Sequence, residues 1–333
     1  MTVFAHLTQR RYLVSALLLM ALTRIPGASA AEHFSLMTDF SIGAAHAPIY
    51  LAIEKGWFKD AGIDLDVADG KGSTSTINLV GAGRIDIGYV NVGPVMPARE
   101  AGMQVRAIAQ FTRKTDLAVI YAADSGITNP AQLSGKNIIC FSGSVWTPFI
   151  PEYLKHVGVA ASAAPVTNVD VNAMYPTYIL GKADGIYTSY AHGFPIVDAR
   201  RPTKAFMAAD AGITLPGYGL VVNDALIKRD PAALKKIVAV LDRSWQYMRN
   251  GHEQEALDAL ATERPDAKLN PKMAMQELKI WETMIDSPET VGKPIGWQSP
   301  VDWDKAMAVQ QSAGLIKPGH HPDEFYTNAL FNQ

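Results

Sequence analysis

Short apolar segments that predict strands alternate along this chain with amphipathic segments that predict helices. Residues 63–67, with the sequence IDLDV, alternate apolar and acidic positions with the period of two that is typical of a half-buried strand. The neighbouring predicted elements are strands at 34–37, 85–90 and 105–111 and helices at 49–58 and 73–80. This succession of strands and helices predicts a parallel sheet with helices on both faces.

The middle of the chain repeats this pattern and predicts a second α/β unit. Its predicted elements are strands at 118–121, 137–141, 164–169, 185–187 and 204–207 and a helix at 147–156. A further strand-like segment at 219–223 is predicted to return the chain to the first unit. Two units that are joined by two or more crossovers create a hinge and a cleft between two lobes.

The last third of the chain is predominantly helical. Asp230-Pro231 and Asn270-Pro271 each combine a helix-capping residue with a proline suited to the first turn. Apolar residues then recur at helical spacing, which predicts helices with one buried face. We therefore expect residues 31–117 to begin the first lobe, residues 118–212 to form the second, and residues 213–333 to return to the first and add helices.

Composition adds mainly exclusions. The 333 residues are 48% hydrophobic and 19% charged, which is the balance of an ordinary globular chain, and the net charge of −2 suggests no surface for nucleic acid. The single cysteine, Cys140, excludes an intramolecular disulfide framework and a multi-cysteine metal site. Its place in an apolar strand predicts a buried thiol. We expect neither a metal nor a cofactor.

Residues 1–30 have the pattern of an export signal. Two arginines at 10–11 precede an apolar run over 12–22, which is shorter than the roughly 20 residues needed to cross a bilayer. The sequence Ala-Ser-Ala at 28–30 matches the small-x-small pattern of a cleavage site. We expect cleavage near Ala30 and a mature protein in the periplasm. A buried N-terminal helix or a membrane anchor is the alternative.

Motifs of hydrolases, metalloproteases and nucleotide-binding proteins do not occur in the sequence. It contains no HExxH, no GxSxG and no P-loop. The glycines at 81 and 83 follow a predicted helix and are predicted to end it. The adjacent His320 and His321 do not share one helix face, which favours a solvated turn over a metal site.

The turns from strand to helix carry the best signals for a binding site. Loops at 71–75 and 142–147 are rich in glycine, serine and threonine, so they either cap helices or present backbone N–H groups to a ligand. The carboxyl ends of parallel strands face the ligand crevice in such folds. The candidate ligand-binding residues at these turns and strand ends are Asp39, Ser73, Thr74, Asn91, Phe111, Ser142, Ser144, Trp146, Tyr187, Ser189 and Tyr190.

Residues 46–63, HAPIYLAIEKGWFKDAGI, resemble the signature of one family of solute-binding proteins. These are type II periplasmic proteins related to the pyrimidine-precursor synthases of thiamine biosynthesis and to sulfonate, taurine and nitrate receptors. The segments GRIDIG at 83–88 and GKADG at 181–185, and the segment that opens the second lobe at 124–136, fit the same pattern. The resemblance covers residues 34–250 and implies the type II periplasmic-binding-protein fold, with two doubly wound lobes.

The resemblance also implies a function. It indicates a monomeric receptor that captures a small solute and delivers it to the permease and ATPase subunits of an ABC importer. In the synthase branch, a histidine at the position of His46 serves the chemistry together with a cysteine-rich motif. This chain has His46 but only one cysteine, which disfavours the enzyme. A sensor or chemoreceptor partner is the other alternative.

Two solute classes remain open. We expect Asp39 and His46 to hydrogen-bond the solute, Phe111 and Trp146 to stack on it, and the second-lobe residues to close over it. The aromatic residues and Asp39 favour a pyrimidine or another heteroaromatic solute. The serine and threonine helix starts favour a sulfonate or a carboxylate, although none of these loops contains an arginine to clamp a carboxylate.

Overall fold

The computed structural model describes residues 31–40, 42–141 and 144–331, which form two α/β lobes. The strands are β1 Glu32–Thr38, β2 Ile63–Ala68, β3 Ile87–Asn91, β4 Val105–Gln110, β5 Leu117–Ala122, β6 Ile138–Phe141, β7 Val166–Val169, β8 Gly185–Ser189, β9 Thr203–Met207 and β10 Tyr218–Asn223. The helices are α1 Ala47–Glu54, α2 Trp57–Asp60, α3 Ser73–Gly81, α4 Val95–Glu100, α5 Ile150–His156, α6 Val171–Ile179, α7 Tyr190–Asp198, α8 Asp224–Arg229, α9 Pro231–Arg249, α10 Glu253–Glu263, α11 Pro271–Glu282 and α12 Pro300–Ser312.

Each lobe is built on a five-stranded sheet, and the two sheets have equivalent strand orders. The first sheet has the order β2-β1-β3-β10-β4, and the second has the order β7-β6-β8-β5-β9. In each sheet the fourth strand in this order is antiparallel to both of its neighbours, and it is the first strand after the chain crosses from the other lobe. The α/β architecture is confirmed, but the expected parallel sheets are mixed because of these two crossover strands.

The two crossover segments lie side by side between the lobes. The N–H of Thr115 donates to the carbonyl of Leu215, and the N–H of Gly217 donates to the carbonyl of Thr112. A Cβ on Gly217 would lie 2.1 Å from the hydroxyl oxygen of Thr112, so only glycine allows this close approach. This paired segment is the hinge predicted from the two α/β units.

The C-terminal helices pack mainly on the first lobe. Asp230 and Asn270 accept hydrogen bonds from backbone N–H groups in the first turns of α9 and α11, as the sequence predicts. Helix α12 lies against both lobes, because Trp303 belongs to an apolar cluster of the first lobe and Val309 to one of the second. These helices cover the first sheet with a second apolar layer.

Two predicted helices are interrupted. The helix expected over 49–58 is divided at Gly56, which has a positive φ of 71° and separates α1 from α2. The helix expected over 147–156 begins as a 3-10 turn at Thr147–Phe149 before α5. Helix α3 ends at Gly81, as predicted.

The predicted export signal at 1–30 and the candidate Ser142 lie outside the described residues. Among the helices of the described part of the chain, none has both the length and the apolarity needed to cross a membrane. Within 31–40, 42–141 and 144–331, no cluster of three or more His, Cys, Asp and Glu side chains could hold a metal ion.

Candidate functional site

A cavity of about 310 Å³ lies between the two lobes. Its size is at the lower end of the range of small-molecule sites, roughly 300–1,000 Å³. Both lobes contribute to its lining: Asp39, Phe40, Gly43, Ala45, His46, Gly72, Ser73, Asn91, Tyr218, Glu277 and Trp281 come from the first lobe, and Asp116, Leu117, Phe141, Ser144, Val145, Val171, Asn172, Met174, Tyr175, Thr188, Ser189 and His192 come from the hinge and the second lobe.

Asp39 is the centre of a hydrogen-bond network in the first lobe. It follows β1 directly, and one carboxylate oxygen accepts a hydrogen bond of 2.6 Å from the hydroxyl of Tyr218. The other oxygen lies 3.2 Å from Nε2 of His46. Because Nδ1 of His46 accepts a hydrogen bond from the N–H of Gly43, the ring proton is on Nε2 and is donated to Asp39. Both nitrogens of His46 therefore have protein partners, and Asp39 is held in one orientation.

Tyr218 reaches Asp39 because β10 is antiparallel to its neighbours. As the first residue of β10, Tyr218 pairs with Asn91, the last residue of β3. The beginning of the antiparallel strand therefore lies at the edge where the parallel strands end. Burial raises the pKa of Tyr218 well above its usual value, and the Asp39 carboxylate raises it further, so the phenol remains a hydrogen-bond donor.

Aromatic rings support this network from behind. The ring of Tyr89 stacks on that of Tyr218 with 5.8 Å between centroids. The ring of Phe111 in turn lies between those of Tyr89 and Trp245, with centroid distances of 5.9 Å and 6.0 Å. Trp281, on α11, meets Tyr218 edge to face at 5.0 Å. Such pairs stabilise beyond their buried area. The polar first-lobe wall therefore rests on a packed aromatic layer.

Two further polar groups of the first lobe face the cavity. Ser73 begins α3, and its hydroxyl oxygen accepts a hydrogen bond from the backbone N–H of Asn91. The side-chain oxygen of Asn91 accepts from the N–H of Gly93. The Ser73 hydroxyl proton and the Asn91 amide N–H groups are thus the groups left to contact a ligand.

Asp116 supplies a buried carboxylate from the hinge. It directly precedes β5, and one of its oxygens accepts hydrogen bonds from the hydroxyl of Ser189 and, at 2.7 Å, from the N–H of Ala191. Burial raises the pKa of Asp116 to about 6, although both hydrogen bonds oppose this shift. Among the described residues, no hydrogen bond reaches its other oxygen, which is the one available to a ligand.

One ion pair crosses the cavity wall. Nδ1 of His192, on α7 of the second lobe, lies 3.2 Å from a carboxylate oxygen of Glu277, on α11 of the first lobe. The other oxygen of Glu277 accepts a long hydrogen bond of 3.4 Å from the indole N–H of Trp281. This pair joins the lobes at the cavity.

The apolar part of the lining comes mainly from the second lobe. Its side chains include Leu117, Val145, Val171 and Met174. The rings of Phe40 and Phe141, one from each lobe, lie 6.3 Å apart and are half-buried. The site thus combines a hydrogen-bonded carboxylate network in the first lobe with a second-lobe side that supplies most of the apolar surface together with several polar groups.

The charges of the lining are strongly biased. Asp39, Asp116 and Glu277 contribute carboxyl groups, whereas the lining found among the described residues includes no lysine or arginine. His192 is the one basic side chain besides His46 in that lining, and Glu277 occupies it. The site therefore offers acceptors to N–H and O–H donors and lacks the guanidinium or ammonium groups that bind anions.

The structure brings together about half of the predicted binding residues. Asp39, His46, Ser73, Asn91, Ser144 and Ser189 all line the cavity. Thr74 does not line it, because the helix turns its side chain to solvent next to Ser73. Tyr190 also lies outside the lining, where its ring packs on Phe194 at 4.8 Å.

Three predicted aromatic contacts need correction. Phe111, Trp146 and Tyr187 have no exposed surface and pack in the cores of the lobes, so they do not reach the cavity. Trp146 donates its indole N–H to the carbonyl of Thr188 and lies 5.2 Å from the Tyr187 ring. Phe111 directly follows β4, Trp146 lies in the loop after β6, and Tyr187 is in the middle of β8 rather than at its end; all three side chains lie on the core side.

Several lining residues could not be predicted from the sequence. Tyr218 begins the antiparallel strand β10, and Asp116 directly precedes the antiparallel strand β5. Three others, Glu277, Trp281 and His192, project from helices. The one available signal was the strand-like segment at 219–223, since its return to the first sheet places the residue before it at the cleft. Cys140 is buried as expected, and burial raises the pKa of its thiol.

Known proteins resemble this chain in sequence and in fold. Residues 44–256 match the family model described as NMT1/THI5 like. A formylaminopyrimidine-binding protein from Halalkalibacterium halodurans is 23% identical over 84% of this chain and 84% of its own length. A 4-amino-5-hydroxymethyl-2-methylpyrimidine phosphate synthase from Saccharomyces cerevisiae is 26% identical, over 61% of this chain and 63% of the enzyme.

The fold is also that of solved binding proteins. The structure of the periplasmic aliphatic sulphonate binding protein from Escherichia coli has a TM-score of 0.67 at 15% identity, covering 85% of this chain and 86% of that one. This likeness confirms the periplasmic-binding-protein fold. Because the family model matches more than half of its residues, the chain belongs to the NMT1/THI5-like family.

Proposed function

We propose that this protein is the extracytoplasmic receptor of an ABC importer and that it captures a small, neutral or cationic heteroaromatic solute of the aminopyrimidine type. The observation that carries the proposal is the cavity between the lobes, which has three carboxyl groups and no lysine or arginine in its described lining. A receptor needs such a cleft, because closing the lobes removes the solute from water.

The charge of the lining favours an aminopyrimidine over an anion. A sulfonate or nitrate group in this cavity would face Asp39, Asp116 and Glu277 without a cationic partner, which is a costly arrangement in a partly buried site. An aminopyrimidine instead presents exocyclic N–H donors that match carboxylate acceptors. The formylaminopyrimidine-binding protein among the relatives supports this choice, whereas the sulphonate-binding protein shares only the fold.

The geometry suggests a role for each wall. Asp39, fixed by His46 and Tyr218, accepts from an exocyclic amine of the solute, and Asn91 donates to a ring nitrogen. Asp116 accepts from the far side of the solute through its free oxygen. Met174 and Val171 cover the ring when the second lobe closes.

Delivery follows from the same architecture. Binding shifts the population of the two lobes toward the closed form, and the permease and ATPase subunits accept the loaded receptor. Export by the segment at 1–30 and a periplasmic location belong to this proposal, as does a monomeric receptor. The binding proteins among the relatives support the receptor over an enzyme.

A thermal-shift panel tests the proposal. The mature protein is heated with hydroxymethyl-aminopyrimidine, formylaminopyrimidine, an alkanesulfonate, nitrate and an aromatic acid, each over a range of concentrations. We expect the melting temperature to rise with pyrimidine concentration as mass action requires, and not with the anions. A rise with sulfonate alone would overturn the solute class. Chemical turnover of a pyrimidine, followed by mass spectrometry, would overturn the receptor function.

A further inference from the structure

The ion pair between His192 and Glu277 differs from the other ion pairs of the protein. Among those formed by residues 31–40, 42–141 and 144–331, it alone joins the lobe of β5–β9 to the rest of the chain. The two side chains project from α7 and α11, which pack against each other across the cleft. A movement of the lobes that separates α7 from α11 therefore breaks this pair.

The surroundings of the pair are built for close contact. A Cβ on Gly43 would lie 3.3 Å from Oε1 of Glu277 and 3.5 Å from Nδ1 of His192. Gly43 has an extended backbone with φ of −138°, which alanine also adopts, so a Cβ there would press on the pair by a few tenths of an ångström without straining the backbone. Glu277 is largely buried, and His192 is about one-third exposed, with 35% of its side chain accessible. The pair can thus exchange protons with solvent while it holds the lobes.

We propose that His192 and Glu277 form a clasp that stabilises the closed form of the protein and makes closure dependent on pH. The clasp rests on the proposed function only in that the lobes open and close. In this role the two side chains contact each other rather than the solute, and their contact stabilises the closed form.

The sign of the pH dependence follows from the groups that face the imidazole. Burial lowers the pKa of His192, but the carboxylates of Glu277, Asp116 and Asp39 together outweigh burial and raise it above its ordinary value. Tyr175, on α6, faces the ring at 6.1 Å and stays neutral because burial raises its pKa. In the open form His192 loses the contact with Glu277. The clasp therefore favours closure fully below the ordinary histidine pKa, roughly 6.5, and loses this effect as the pH rises through the raised value.

Fluorescence energy transfer in the ligand-free protein tests the clasp without a ligand. Leu180 and Val291 lie in different lobes and are 69% and 76% exposed, so L180C and V291C provide two labelling sites, while the native Cys140 is fully buried. Transfer is measured from pH 6.5 to 8.5, a range in which Asp116, with its pKa of about 6, stays mainly ionised. We expect the closed population to fall as the pH rises.

Three variants in this labelled background separate the clasp from other effects. His192→Gln and Glu277→Gln are each expected to lower the ratio of closed to open protein about fivefold at pH 6.5, near the lower limit of typical coupling effects, and to remove the pH dependence. Gly43→Ala keeps both charged groups but displaces them, and it is expected to lower the ratio in the same direction. His33→Gln is the matched control, because His33 pairs with the exposed Asp64 within one lobe.

The outcomes distinguish the clasp from the proposed function. A pH dependence that persists in both His192→Gln and Glu277→Gln, or that disappears equally in His33→Gln, would overturn the clasp while leaving solute capture intact. Failure of every compound in the thermal-shift panel would overturn the solute class while leaving the clasp intact. If Glu277→Gln does not fold, His192→Gln decides, and a closed population with the parent's ratio and pH dependence would overturn the clasp.

Discussion

The two lobes share a strand order but present different walls to the cavity between them. The first-lobe wall is polar, and its central carboxylate, Asp39, is fixed by His46 and Tyr218. The second-lobe wall mixes apolar side chains, Met174 and Val171 among them, with polar ones such as Thr188 and His192. The C-terminal helices pack mainly on the first lobe, and one of them, α11, brings Glu277 and Trp281 to the cavity.

This difference indicates an order of events in capture. A wall whose polar groups already have protein partners loses little conformational entropy when a solute binds, so the first lobe is the docking side. The apolar side chains of the second lobe contribute free energy only when they are removed from water, so in the proposed capture they act on closure. The same fold thus supplies recognition on one side and enclosure on the other.

The largest effect expected on stability tests whether the second-lobe aromatics belong to the core. Trp146→Ala should lower the free energy of unfolding by about 3–5 kcal/mol, because it empties a fully buried site beside Tyr153 and Tyr187. Urea denaturation measures this change. At a temperature where the variant is folded, its affinity for hydroxymethyl-aminopyrimidine should stay within about threefold of the wild type. A large loss of affinity without destabilisation would show that Trp146 contacts the solute rather than the core.

Recognition by the first lobe depends most on Asp39. Asp39→Asn should weaken pyrimidine binding by roughly 10- to 100-fold, the range of one hydrogen bond to a charged group, because the amide N–H₂ replaces an acceptor oxygen. Titration calorimetry measures the dissociation constant. Asp64→Asn, at an exposed position of β2, is the matched control and should bind as the wild type does. Equal affinity in both variants would contradict the polar docking side.

Asp116 gives the hinge a signature in the pH dependence of stability. Its pKa is raised to about 6, above an unfolded value of roughly 3.9, so the folded state binds more protons between these values. Its contribution therefore becomes less favourable as the pH rises from about 4 to about 6. Asp116→Asn lacks this titration. The difference between its melting temperature and that of the wild type should therefore shift in favour of the variant as the pH rises across that range. If the melting temperatures of the two proteins change with pH in the same way from pH 4 to pH 7, Asp116 is not buried as described.

Neighbouring residues on α3 provide the smallest and most local comparison. Ser73→Ala should weaken binding about threefold to fivefold, as expected for a single neutral hydrogen bond. Thr74→Ala should leave affinity unchanged, because Thr74 is exposed outside the cavity. Both dissociation constants come from the same calorimetric titration. A larger loss in Thr74→Ala than in Ser73→Ala would mean that α3 presents its other face to the solute.

Much of the fold could be predicted from local patterns. The strand at 63–67 and the capped starts of α9 and α11 depend on neighbouring residues alone, and all three are confirmed. The mixed sheets could not be predicted in this way. Whether β5 and β10 insert antiparallel depends on where a crossover enters a distant sheet, which local periodicity does not record.

The site was predictable only where it depends on the ends of parallel strands. Asp39 and Asn91 follow from that rule, but the rule does not say which face of the sheet a side chain occupies. In β8, Tyr187 points into the core while the next residue, Thr188, lines the cavity, because successive side chains alternate. Glu277 and His192 are 85 residues apart in sequence and meet only because their helices pack against each other. Their contact required the three-dimensional structure.

An acceptor-rich cleft whose described lining contains no lysine or arginine should select an aminopyrimidine over an anion. Titration calorimetry of the mature protein with hydroxymethyl-aminopyrimidine and with an alkanesulfonate of similar size compares the two directly. We expect one pyrimidine to bind per chain and the sulfonate to bind at least about 100-fold more weakly, because its anionic group would face carboxylates without a cationic partner. Tighter binding of the sulfonate would contradict it.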